Sequence, residues 1–149
     1  MKSLFYLRTQ GIIRWLVGLL FIAAAIPKIA APQDFALTIF RYHLLSDNLI
    51  NLGALWLPWV EVTAAITFLL AASLWRQTAA ALLAILLVLF TIVIIISLAR
   101  GLDITCGCFT LKPGLGRIGA WSIARNIMLF VLMLWAVWGP AMHHKPEAK

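Results

Sequence analysis

From Gln77 to Ala99 the chain runs without one charged side chain, built almost wholly of Leu, Ile, Val and Ala. A bilayer core of ~30 Å needs about 20 mostly apolar residues per helix, and this run meets that length without a charge. The run is therefore read as a membrane-spanning helix, at 78–100. Hydrophobic residues make up 64% of the chain and charged ones 11%, which leaves little material for a water-soluble domain.

Three further stretches follow the same logic, giving one membrane domain over 1–149. The first span, 11–28, has Lys2, Arg8 and Arg14 ahead of Trp15 to Ile26, with Pro27 and Lys28 marking its exit from hydrocarbon. A basic flank before an apolar run also fits a secretory signal, but the three later spans favour a retained first helix. The second span, 49–75, contains Pro58 and a single charge, Glu61, with Ala54, Ala64, Ala65 and Ala72 spaced to bring neighbouring helices close on the Glu61 side. The fourth, 120–139, holds Arg125 and Asn126 little more than one turn inside its start. Arg76-Gln77 reads as a tight connection between the second and third spans. Between the first two, Phe35 to Leu45 mixes apolar residues with Arg41, Tyr42 and His43, which predicts a short interfacial helix capped near Gln33 or Asp34. The fold expected is all-α, an integral membrane four-helix bundle. Tryptophans 15, 56, 59, 75, 121, 135 and 138 are read as an interfacial belt.

Four spans put Lys2, Arg8, Arg14, Arg76, Lys145 and Lys149 on one side and Lys28, Arg41, Arg100, Lys112 and Arg117 on the other. The charge bias toward cytoplasmic termini is slight. The formal charge of +7 is spread between apolar runs with no basic helix, which points to lipid headgroups and away from nucleic acid.

Both cysteines lie in the loop after the third span, as Cys106-Gly107-Cys108-Phe109. Cysteines one residue apart can close a small ring, and Gly107 supplies the backbone freedom it needs. A bridge across so short a loop restricts the unfolded chain very little, so redox exchange is the favoured reading, with Arg100, Lys112, Arg117 and Arg125 stabilising a thiolate. Disulfide-capable pairs persist outside the cytosol, which places this loop on the periplasmic or extracellular side, the membrane expected being a bacterial inner membrane. Two alternatives stay open: a non-catalytic assembly subunit whose cysteines only fix the loop, and a soft-metal carrier of the copper type. Lys28, Glu61, Arg100 and Arg125 all approach the membrane from the loop side, with Glu61 and Arg125 read either as an ion pair pinning helices or as groups that set local charge or pass a proton. With one cysteine pair the chain does not pass electrons across the bilayer by thiol exchange alone; a quinone in the bundle or a partner protein completes the circuit.

Pro27-Lys28, Leu57-Pro58-Trp59-Val60-Glu61, Cys106-Gly107-Cys108-Phe109 and Arg125-Asn126 together resemble the methylamine-utilisation MauE family, within the broader DoxX-like group. The resemblance covers nearly the whole chain, with Thr110 departing from an expected Gly. It implies a four-helix membrane protein tied to maturation of the disulfide-rich small subunit of methylamine dehydrogenase. It also implies a thioredoxin-like partner, MauD, and an extracytoplasmic client containing disulfides.

Overall fold

The computed structural model describes residues 2–102 and 119–138, all of them in helices or short connections. The helices are α1 (Lys2–Ala30), α2 (Pro32–Arg41), α3 (Asp47–Leu70), α4 (Ser73–Ala99) and α5 (Ala120–Trp138). Four are long and apolar enough to cross a membrane: Arg8–Ala30 within α1, and α3, α4 and α5. They form an all-helical bundle in which α1 packs on α3, α3 on α4, α4 on α5 and α5 back on α1, a closed up-and-down ring. Helix α2 lies against α3 and α1.

Each span buries one stripe. On α3 it is Ile50, Ala54, Pro58, Glu61, Ala64, Ala65 and Phe68, three or four residues apart. On α5, Ser122, Asn126, Leu129, Met133 and Ala136 repeat the pattern. Outward faces carry large apolar side chains, as lipid demands: Leu55, Trp56 and Trp59 of α3 are all more than half exposed. Ala54, Ala64 and Ala65 fall on the Glu61 stripe as expected, whereas Ala72 is exposed in the turn.

Local chemistry moves several boundaries. The break between α3 and α4 is Ala71–Ala72, both with extended ψ, and not Arg76-Gln77; Arg76 already lies in the first turns of α4. No Gly or Pro marks that turn, so the polar pair Arg76-Gln77 is the stronger signal in the sequence. Helix α2 starts earlier than Gln33, with Ala31 as N-cap and Pro32 at the first helical position, where its fixed φ and missing N–H cost nothing. Asp34 in the first turn and Arg41 in the last complement the helix dipole. His43, at φ 50°, then takes the left-handed conformation in the connection to α3. Trp56 and Trp59 sit mid-way along α3, away from the ends where a belt would place them.

The bundle is chemically polarised along its axis. The half holding the α3–α4 turn is an apolar core of Val17, Phe21, Ala64, Phe68, Leu83 and Met133, among others. The buried polar side chains Lys28, Thr38, Ser97, Ser122 and Asn126 lie toward the opposite end, where α4 stops and α5 starts, with Glu61 near the middle.

Candidate functional site

At the heart of the polar half is an ion pair. Lys28 Nζ donates to Glu61 Oε2 at 2.6 Å, with the two residues only 1% and 4% exposed. Pro27 does not end α1, which runs on to Ala30, so Lys28 stays within the helix and turns into the bundle instead of leaving the hydrocarbon. Glu61 points inward because it shares the small-residue stripe of α3. The cation that closes on Glu61 is Lys28 and not Arg125, since α1 borders α3 whereas α5 stands diagonally across the ring. Arg125 is half-buried on α5 beside Asn126.

Two aromatic rings complete the ammonium's surroundings. Lys28 Nζ lies 5.5 Å from the centroid of Phe35 on α2 and 5.2 Å from that of Phe90 on α4. Aromatic faces attract a cation most strongly where water is excluded. One side chain of α1 thus bonds or stacks with α2, α3 and α4 together. Phe35 and Phe90, which sequence reasoning passed over as ordinary apolar residues, owe their role to this convergence.

The fifth helix joins through Asn126. Its Nδ2 donates to Thr91 Oγ1 at 3.2 Å, and the Thr91 hydroxyl donates to the Leu87 carbonyl at 2.6 Å. A cavity of about 30 Å³, enough for a water molecule, is lined by Lys28, Glu61, Phe90, Asn126 and Leu87. Three polar groups from three spans therefore face one water-sized space. Such a space can hold a proton donor or acceptor beside the carboxylate and ammonium. Thr91 was also missed; its only sign in the sequence is a hydroxyl inside an otherwise apolar run.

Arg100, read from the sequence as a thiolate-stabilising neighbour, serves at least one structural purpose. One guanidinium nitrogen donates to the carbonyls of Tyr42 at 3.1 Å and His43 at 3.5 Å, tying the end of α4 to the turn between α2 and α3. Replacing Arg100 with alanine is expected to speed amide hydrogen exchange at residues 42–46 while leaving the Glu61 region of α3 unchanged; equal rates at 42–46 would show the tie to be inert. Cys106, Gly107, Cys108 and Phe109 lie outside the described residues. The ends of the two helices that flank them, α4 and α5, are placed at the polar end of the bundle.

A family model described as methylamine utilisation protein MauE matches residues 5–139. Over 120 residues the chain is 37% identical to the methylamine utilization protein MauE of Methylophilus methylotrophus, covering 80% of this chain and 62% of that one. It is 34% identical to the MauE of Paracoccus denitrificans over 82% of this chain and 64% of the relative. Against that of Methylorubrum extorquens it is 34% identical over 85% and 67%. The chain thus spans about two thirds of the length of these curated relatives. No solved structure matches it. A match of this extent, on a four-span bundle with Glu61 buried at its centre, means that the chain belongs to the MauE family of methylamine utilisation proteins.

Proposed function

We propose that this protein is a membrane thiol–disulfide oxidoreductase that supports disulfide formation in extracytoplasmic proteins, through Cys106 and Cys108. The observation that carries the reading is that the chain's two cysteines stand one residue apart, in the segment joining the two helices that flank the polar end of the bundle. In the exchange, a thiolate of a thioredoxin-like partner of the MauD kind attacks one sulfur of the Cys106–Cys108 disulfide, and the other sulfur leaves as thiolate. The partner's second thiolate then resolves the mixed disulfide. The partner ends oxidised, ready to pass its disulfide to a client, and the Cys106/Cys108 pair ends as a dithiol holding two electrons. In the namesake pathway the client is the small subunit of methylamine dehydrogenase.

This reading puts the termini in the cytoplasm and the cysteine segment in the periplasm of a bacterial inner membrane, where disulfides persist. Cations flanking the segment, Arg100 and Arg125 among them, favour the thiolate leaving group. Glu61 and Lys28 form the proton-handling part of the same end of the bundle, with the Asn126 amide as a fixed hydrogen-bonding neighbour.

The test uses single-cysteine variants in cells. Cys106→Ser and Cys108→Ser are each expected to abolish client oxidation, and one of them to trap a mixed disulfide with the partner that thiol reduction releases. Normal client oxidation in both variants would rule the exchange out and leave an assembly role for the bundle.

A further inference from the structure

A dithiol left by each exchange must be reoxidised, and this rests on the function proposed above. The bundle carries no second cysteine pair among these residues, and a molecule that enters from the bilayer can serve as the acceptor. A cleft of about 170 Å³ lies between α4 and α5, the two helices that flank the cysteine segment. Its lip is Val88, Ile92 and Ile127, each 45% exposed or more, on faces that meet lipid in a spanning bundle. Its wall holds two polar side chains, Thr91 and Asn126, the latter 3% exposed. Asn126 and Leu87 also line the water-sized cavity of the ion pair, so they form the partition between the cleft and Lys28–Glu61.

We propose that this cleft binds the ring of a membrane quinone. The apolar lip suits a planar, lipid-soluble ring arriving from the bilayer, and the Asn126 amide, which has a second N–H besides the one given to Thr91, suits a ring carbonyl. The Lys28–Glu61 pair behind the partition exchanges the protons that quinone chemistry requires. In balance, the dithiol loses two electrons and two protons and forms one S–S bond, while the quinone gains both and leaves as quinol with two hydroxyls. A larger cavity of about 270 Å³ among α2, α3 and α4 is a poorer fit. Phe35 and Phe90 both line it and both stack on the Lys28 ammonium, and the Thr38 hydroxyl on its wall is already committed to the Asp34 carbonyl.

The experiment uses the full chain in lipid nanodiscs with a photoreactive azido-benzoquinone carrying a decyl tail, and maps the crosslink. Label is expected on α4 around 88–92 or α5 around 126–130, competed by unlabelled decyl-benzoquinone. Asn126→Leu should weaken competition about tenfold, the effect of one lost hydrogen bond in a buried site, and Thr91→Val, which removes the hydroxyl that anchors the Asn126 amide, should weaken it less. Val88→Trp, which fills the cleft from its lipid-facing lip, should abolish labelling and serves if the polar variants fail to fold. The Cys106→Ser/Cys108→Ser double variant should label normally. Label elsewhere, label without competition, or unchanged labelling in Val88→Trp would overturn the quinone site while leaving thiol exchange to stand on its own test. Normal labelling together with unimpaired client oxidation in the cysteine variants would do the reverse.

Discussion

Glu61→Leu, made with Lys28 in place, is expected to cost the bundle about 3–5 kcal/mol, the range seen when one member of a buried pair is removed and the other stays charged. Lys28 is 1% exposed, and near the C-terminal end of a 29-residue helix it has no free path to water while α2 covers it with Phe35. Lys28→Met is expected to be damaging for the mirror reason, an unpaired carboxylate at the centre of α3. The double variant Lys28→Met/Glu61→Leu should recover most of the loss, since two apolar side chains of similar length suit a low-dielectric interior and desolvation no longer opposes them. Unfolding followed by circular dichroism in mixed micelles would measure all three. A Glu61→Leu variant as stable as the parent would show that the pair does not hold the bundle together. The double variant separates two roles: if the pair serves only to pin helices, it should also keep client oxidation, and if the pair carries protons, it should fold yet turn over slowly.

The second large effect is steric and lies in the opposite half of the bundle. At Gly18, α1 packs directly on α3: a Cβ built there would meet Leu69 Cγ and Cδ2 at 2.5 Å. Because Cγ is not the free end of the leucine, the side chain has to move as a whole or the helices must part. Gly18→Val is expected to cost about 1–3 kcal/mol through overpacking, which exceeds the several tenths that a better helix former returns. Leu69→Ala, which on its own opens a cavity beside the core, should lessen the Gly18→Val penalty when the two are combined, and the double-mutant cycle reads the coupling directly. Gly11 supplies the control, since nothing lies within 4 Å of a Cβ at that position; Gly11→Ala should leave stability unchanged or slightly raised. Equal effects at Gly11 and Gly18 would mean that the α1–α3 crossing is not set by this contact.

Much of the architecture could be read from residue order, because the constraint is external. Lipid offers the backbone no hydrogen-bond partners, so long apolar runs become helices whatever their neighbours, and α4 was visible from its composition alone. The mixed character of Phe35 to Leu45 likewise marked α2. Boundaries were harder. Pro27 and Lys28 carry the usual signs of a helix leaving hydrocarbon, yet α1 continues past them. The proline's lost hydrogen bond is a local cost that burial of Lys28 against Glu61 and two rings can offset, and no local signal reports those partners.

The same division applies to the candidate site. Glu61 and Asn126 were conspicuous because polar groups inside a span are expensive and need a reason. That Lys28 takes the carboxylate, while Arg125 remains on the diagonal helix, depends on the order of helices around the ring and on the rotation of each about its axis. Thr91, Phe35 and Phe90 are unremarkable in sequence and acquire meaning only because α2, α4 and α5 bring them to the same point.

By itself, then, the sequence determined that this protein spans a membrane with four helices, that its ionisable groups inside the spans are few, and that its two cysteines stand together after α4, since each follows from apolar length or covalent neighbourhood. Tertiary structure alone decided the partner of Glu61, the aromatic enclosure of Lys28, the close approach at Gly18 and the partition formed by Asn126. Those features are set by distances between residues tens of positions apart, which helix packing fixes and chain order does not.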